Sequence, residues 1–159
     1  MLSIRTILHP TDFSEPSGYA LNMAYSLAAD YGAHLVIIHV MATPVIVSDG
    51  ILFASQSDLE DLREKLDRLA APDAPIDVVR RLEEGNPTTE ILHMAQLCHA
   101  DLIVMGSHGQ HGLRRWLMGS VAEDVLRKAT CPVLTVTTPA PADFSARAGH
   151  REAVDRNGS

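Results

Sequence analysis

Two cysteines, Cys98 and Cys131, are all that the 159-residue chain carries. They are too few for a disulfide framework, so stability must come from a packed core, which a chain of this length can build. Both are read as buried thiols in a reducing compartment. Lysine occurs only as Lys65 and Lys128, and acidic residues outnumber basic ones by 20 to 13. The net charge of -7 argues against non-specific nucleic-acid binding, which needs a basic surface. Long apolar runs are missing too. The longest, such as Leu35 to Ile38, fall far short of a bilayer span, so no membrane association is expected. The opening MLSIRTILHPTDFS has no long apolar stretch and no small-residue cleavage site. No signal peptide is read, and a cytoplasmic location is expected. The chain also lacks GxxxxGK(S/T), GxGxxG and GxSxG. A P-loop, a dinucleotide fingerprint and a hydrolase elbow are thereby excluded.

What is present is an alternation of strands and helices. Ser3 to His9 has the β-branched richness of a strand. Ser14 to Gly32 reads as a helix, with Ala20, Leu21, Ala24, Leu27, Ala28 and Tyr31 on one face and Gly32 as its stop. His34 to Met41 is a nearly continuous apolar run, as expected of a strand buried on both faces. Residues 42 to 54 combine turn signals with apolar side chains and are read as an ordered loop. Core packing under a crossover is favoured there over a lid or partner surface. Ser57 to Ala71 is an amphipathic helix with Leu59, Leu62, Leu66 and Leu69 on one face, and Ser57 with Glu60 matches a capping box. Ile76 to Leu82 is a more polar strand, placed near a sheet edge. Asn86 and Pro87 open a helix that buries Ile91, Leu92, Ala95 and Cys98. Asp101 to Gly106 is a short buried strand. Ser120 to Thr130 is the last helix, with Val121, Val125, Leu126 and Ala129 inward. Val133 to Thr137 is the final strand. Residues 1–138 form one domain. Residues 139–159 have little apolar periodicity and are expected to be disordered.

Such alternation implies a parallel sheet with helices on both faces. Ligands in these folds bind at the carboxyl ends of the strands, where the winding reverses. Two segments fall there. His9-Pro10-Thr11-Asp12-Phe13-Ser14 ends the first strand, and helix capping by Asp12 or Ser14 alone explains its polarity. Gly106 to Ser120 is rich in glycine and opens a helix with Gly119-Ser120. Glycines let the backbone approach an oxyanion closely. Their N–H groups and the helix N-terminus together can form a phosphate site. Arg114 and Arg115 could add charge to it.

These residues carry a resemblance. Gly106, Gly109, Gly119 and Ser120 match the signature Gly-x2-Gly-x9-Gly-(Ser/Thr) of the universal stress protein family. The flanks VMGSHG and GSVAEDVLRKATCPVLTV, and the opening ILHPTDFSEPSGYAL, are similar to that family as well. The resemblance spans about residues 1–138. It implies an α/β fold with a five-stranded parallel sheet in the order 3-2-1-4-5, Rossmann-like and of the adenine nucleotide alpha hydrolase type. It implies that ATP, or else AMP or ADP, lies across strands one and four. Matched residue by residue, Pro10, Thr11 and Asp12 fall at adenosine and Val40 at adenine. Met105, Gly106, His108, Gly109, Gly119, Ser120 and Val121 complete the implied site at the ribose and phosphates. Ala122 departs from the Ser or Thr of many nucleotide-binding members, which removes one hydroxyl contact. The family also suggests a homodimer through Val133, Leu134, Thr135 and Val136.

Charge supports the same polarity. Asp12 belongs at the neutral adenosine end, and the helix N-terminus at the negative end of the ligand. His108 and His111 have short metal-ligand spacing, but CxxC and HExxH are absent, so a dedicated protein metal site is not expected. Mg2+ or Mn2+ bridging the phosphates needs few protein ligands. No nucleophile is evident, so a non-catalytic nucleotide-binding module is the first reading. A slow metal-dependent ATP hydrolase is the second, with Asp12 or His108 as base. A structural dimer without ligand is the third. A flavin site ranks last, because few aromatics flank the cleft.

Overall fold

Apolar strands followed by amphipathic helices produce the expected architecture. The computed structural model describes residues 3–42, 46–47, 50–51, 56–69, 75–107 and 118–137. Its elements are β1 (Thr6–Pro10), α1 (Glu15–Tyr31), β2 (His34–Ala42), β3 (Ile46–Val47), β4 (Gly50–Ile51), α2 (Gln56–Asp67), β5 (Val78–Gly85), α3 (Pro87–Leu97), β6 (Leu102–Gly106), α4 (Ser120–Lys128) and β7 (Val133–Val136). Five strands form one parallel sheet in the order β5-β2-β1-β6-β7. Numbered among themselves, these strands run 3-2-1-4-5. Within the segment read as an ordered loop, β3 and β4 make a small antiparallel pair. Residues 139–159 and the expected helix end at Ala71 lie outside the described residues.

Both sheet faces are apolar because strand side chains alternate. Ile7, Leu35, Ile37 and Val104 turn to one face, against α1 and Leu66 of α2. Leu8, Val36, Ile38, Ile103 and Met105 turn to the other, against Ile91 and Ala95 of α3 and Ala122 and Val125 of α4. Each fully buried Ile, Leu or Val contributes roughly 1.5–3 kcal/mol. The strands thus hold their order mainly through these two layers.

Local chemistry sets the helix ends. The Ser14 hydroxyl accepts from the Ser17 N–H at the start of α1, and Gly32 ends the helix at φ 63°. Asn86 caps α3 by accepting from the Thr89 N–H, and Pro87 occupies the first turn. Four expectations need correction. Tyr31, expected on the apolar face of α1, is half-exposed at the last residue of the helix. Gln56 already lies in α2, so Ser57 is inside the helix rather than its cap. Leu126 of α4 faces solvent, and Ala122 takes the buried position. The polar strand starts at Val78 and runs on to Gly85, since its pairing with β2 continues to Ala42. Backbone hydrogen bonds to one neighbour suffice at a sheet edge, so Glu83 and Glu84 do not end the strand.

Candidate functional site

Between β1 and β6 the sheet opens. Backbone pairing between these strands is limited to Ile7 with Leu102 and Leu8 with Ile103. Beyond it β1 leads into α1, which packs on one face of the sheet, while α4 packs on the other. A cleft of about 680 Å³ lies at this end of the sheet. Its walls come from the carboxyl ends of β1, β2 and β6, the first turn of α4, and residues of α2 and α3.

Nine residues expected at the site line this one cleft: Pro10, Thr11, Asp12, Val40, Met105, Gly106, Gly119, Ser120 and Val121. His108 and Gly109 lie outside the described residues, as do Arg114 and Arg115. The two ends of that loop nevertheless meet, because the Gly119 N–H donates to the Ser107 carbonyl at 2.7 Å. Phe13, Ser17, His39, Leu62, Lys65, Pro87 and Ile91 also line the cleft and were not expected there. Lys65 is legible in the sequence as the residue one turn beyond Leu62 on α2, beside the leucine face.

The β1 end is held by a compact polar network. The Thr11 N–H donates to the Ile38 carbonyl at 2.8 Å, extending the pairing with β2. Thr11 Oγ1 accepts from the Ser17 hydroxyl at 2.9 Å and from the Phe13 N–H at 3.1 Å. The Thr11 carbonyl accepts from His39 Nδ1 at 2.8 Å. That contact makes Nδ1 the protonated nitrogen of His39, because a carbonyl can only accept. Asp12 Oδ1 accepts from both the backbone N–H and the hydroxyl of Ser14. Phe13 adopts φ 61°, a left-handed conformation that costs a bulky residue about 1–3 kcal/mol. Its ring lies 4.5 Å from that of His39. Strain of this kind persists only where neighbours over-determine it, as the Thr11 and His39 contacts do here.

Gly106 has a structural reason of its own. A Cβ there would lie 3.1–3.2 Å from the backbone of Pro16 and Ser17. The missing side chain lets the first turn of α1 pack directly on β6. At the other wall, α4 begins at Gly119, which supplies no side-chain cap. The first-turn N–H groups of α4 are therefore left for another acceptor. Among the described lining residues, Asp12 is the only carboxylate and Lys65 the only ammonium or guanidinium group. No cluster of three or more potential metal ligands occurs among the described residues. The donor set therefore suits an anion at the α4 end, and a neutral, hydrogen-bonding group near Asp12.

The profile of the universal stress protein family matches residues 3–137. The chain belongs to the universal stress protein family. A universal stress protein of Methanocaldococcus jannaschii is 36% identical over 141 residues, covering 85% of this chain and 83% of the relative. A universal stress protein solved in complex with cAMP is 28% identical, with a TM-score of 0.64 over 84% of this chain and 97% of that one. A family member from Burkholderia pseudomallei is 31% identical, with a TM-score of 0.63 over 84% and 96%. The sheet order is thus that of a universal stress protein fold. Among the described residues, no helix is long and apolar enough to cross a membrane.

Proposed function

We propose that this universal stress protein binds an adenine nucleotide in the cleft, with ATP as the preferred ligand, and acts as a non-catalytic module in stress response or signalling. One observation carries the reading: a single switch-point cleft is lined both by the β1 end with its Asp12 carboxylate and by the uncapped N-terminus of α4. The similar structure in complex with cAMP supports the same ligand class. Asp12 and Thr11 take the adenosine end, while Gly119 lets the phosphates approach the start of α4, where the backbone N–H groups of Ser120 and Val121 take them. His108 and Gly109 complete the phosphate end. With Asp12 as the one carboxylate among the described lining residues, Mg2+ or Mn2+ is held by the phosphates rather than by the protein. A second copy pairs along β7, whose Val133, Leu134, Thr135 and Val136 form an edge of the sheet.

Calorimetric titration of two variants tests the polarity. Asp12→Ala weakens AMP and ATP about equally, by roughly tenfold or more, since a hydrogen bond to a charged group is lost. Gly119→Val weakens ATP far more than AMP. The reverse pattern overturns the assignment. Metal-dependent turnover abolished by His108→Ala would instead put hydrolysis first.

A further inference from the structure

The short ladder between β1 and β6 is clasped at both ends by side chains. At the amino end, the Asp101 carboxylate accepts from the N–H groups of Arg5 and Thr6 at 2.8 and 3.0 Å. At the carboxyl end, beyond the last backbone pair, His9 Nδ1 donates to the Val104 carbonyl at 2.8 Å. His9 is fully buried, and its second nitrogen, Nε2, is buried with no partner among the described residues. A buried polar atom without a partner is costly, so its retention calls for an explanation. The imidazole lies immediately before Pro10 and Thr11, which line the cleft.

We propose that His9 is a positioning residue for the cleft: its imidazole holds β1 and β6 at the separation the cleft requires, and only in the uncharged form. Protonation occurs at Nε2, which has no acceptor, and the resulting buried cation is relieved when the β1 end moves out toward water. Burial already pushes the His9 imidazole down to about 4, against the pull of its bond to Val104 and of the Asp12 carboxylate. Among the described residues, no titratable group besides Asp12 compensates it. β6 carries no ionisable side chain. Tyr25 is the only titratable member among the buried residues of α1, and on β2 the His39 ring is tied to Thr11. Acid thus loosens the mouth of the cleft before it loosens the Asp101 end. The consequence for ligand binding rests on the nucleotide reading above, whereas the clasp itself does not.

Amide hydrogen exchange of the full chain without nucleotide, from about pH 6.5 to pH 4.5, tests the clasp. Local opening should rise by about tenfold per pH unit at Thr11 and Ser107, because opening takes up one proton. The amides of Thr6 and Asp101, at the other end of the same strands, should stay better protected than Thr11 and Ser107 at every pH, because only global unfolding exposes them. His9→Asn keeps a donor near the Nδ1 position and removes Nε2, and its protection at Thr11 and Ser107 should be flat over the same range. Unchanged protection in the wild-type chain overturns the proposal. So does an Asn variant that follows the wild type, or equal protection at both strand ends throughout the series, which would make His9 a determinant of global stability only. Adding cAMP near neutral pH raises protection at Thr11 and Gly119 if the cleft binds nucleotide. Without that gain the nucleotide reading fails, while the pH series still decides the role of His9.

Discussion

At the scale of single residues, two positions decide how tightly the site is built. His9 is uncharged in the fold and titrates near 6.5 when unfolded, so the folded chain binds fewer protons in between. Its contribution is complete above about pH 6.5, declines as the pH falls toward 4 and is constant below that. The full swing is roughly 3 kcal/mol. Urea unfolding across this range should show that loss, and His9→Asn should remove most of it. Gly106→Ala places a methyl group against backbone atoms of Pro16 and Ser17, which cannot rotate away. It should cost about 1–3 kcal/mol in the same assay, the usual range for overpacking. Neither role could be read from the sequence. His9 passed as one more strand residue, and Gly106 was assigned to ligand approach alone, because the contacts that explain both cross between distant segments.

Elements were legible to the degree that their signals were local. Ser14, Gly32, Asn86 and Pro87 act within one turn of a helix end, and each stands where its chemistry indicated. Asn86→Ala should therefore cost about 1 kcal/mol by urea denaturation, from loss of the cap to the Thr89 N–H. A loss near zero would mean that Pro87 and the packing of Ile91 suffice to start α3. Ser57 misled because a capping box describes a pattern of residue types that also occurs inside a helix. Leu126 misled because α4 buries a narrow face centred on Ala122 and Val125, and small Ala122 carries less hydropathy than the leucine beside it. The end of β5 was missed because Glu83 and Glu84 look like loop residues. The ladder with β2 decides their conformation, and it is not visible in a single segment.

For the molecule as a whole, topology was the most readable property. Alternating strands and helices with right-handed crossovers leave few arrangements, and the glycine signature selected among them. The same topology brings residues from β1, β2, β6 and α4 to one cleft, although Pro10 and Val121 are more than a hundred positions apart. Phe13, His39 and Lys65 were missed because their place in the cleft depends on how α2 and the β1 end lie over the sheet. An edge strand with a half-exposed Leu134 predicts self-association. Light scattering should give twice the 17.2 kDa of one chain, and Leu134→Lys should shift the mass toward a single chain. A wild-type monomer at all concentrations would remove the dimer from the account. The central claim, nucleotide binding, is tested most directly by thermal unfolding with saturating ATP, AMP and Mg2+, preceded by analysis of nucleotide carried through gentle purification. At about 100 times its dissociation constant, ATP should add roughly 2.7 kcal/mol, a rise of roughly 5–10 °C, and more than AMP adds. Absence of both bound nucleotide and any shift would contradict the claim and leave the glycine signature to folding or dimerisation.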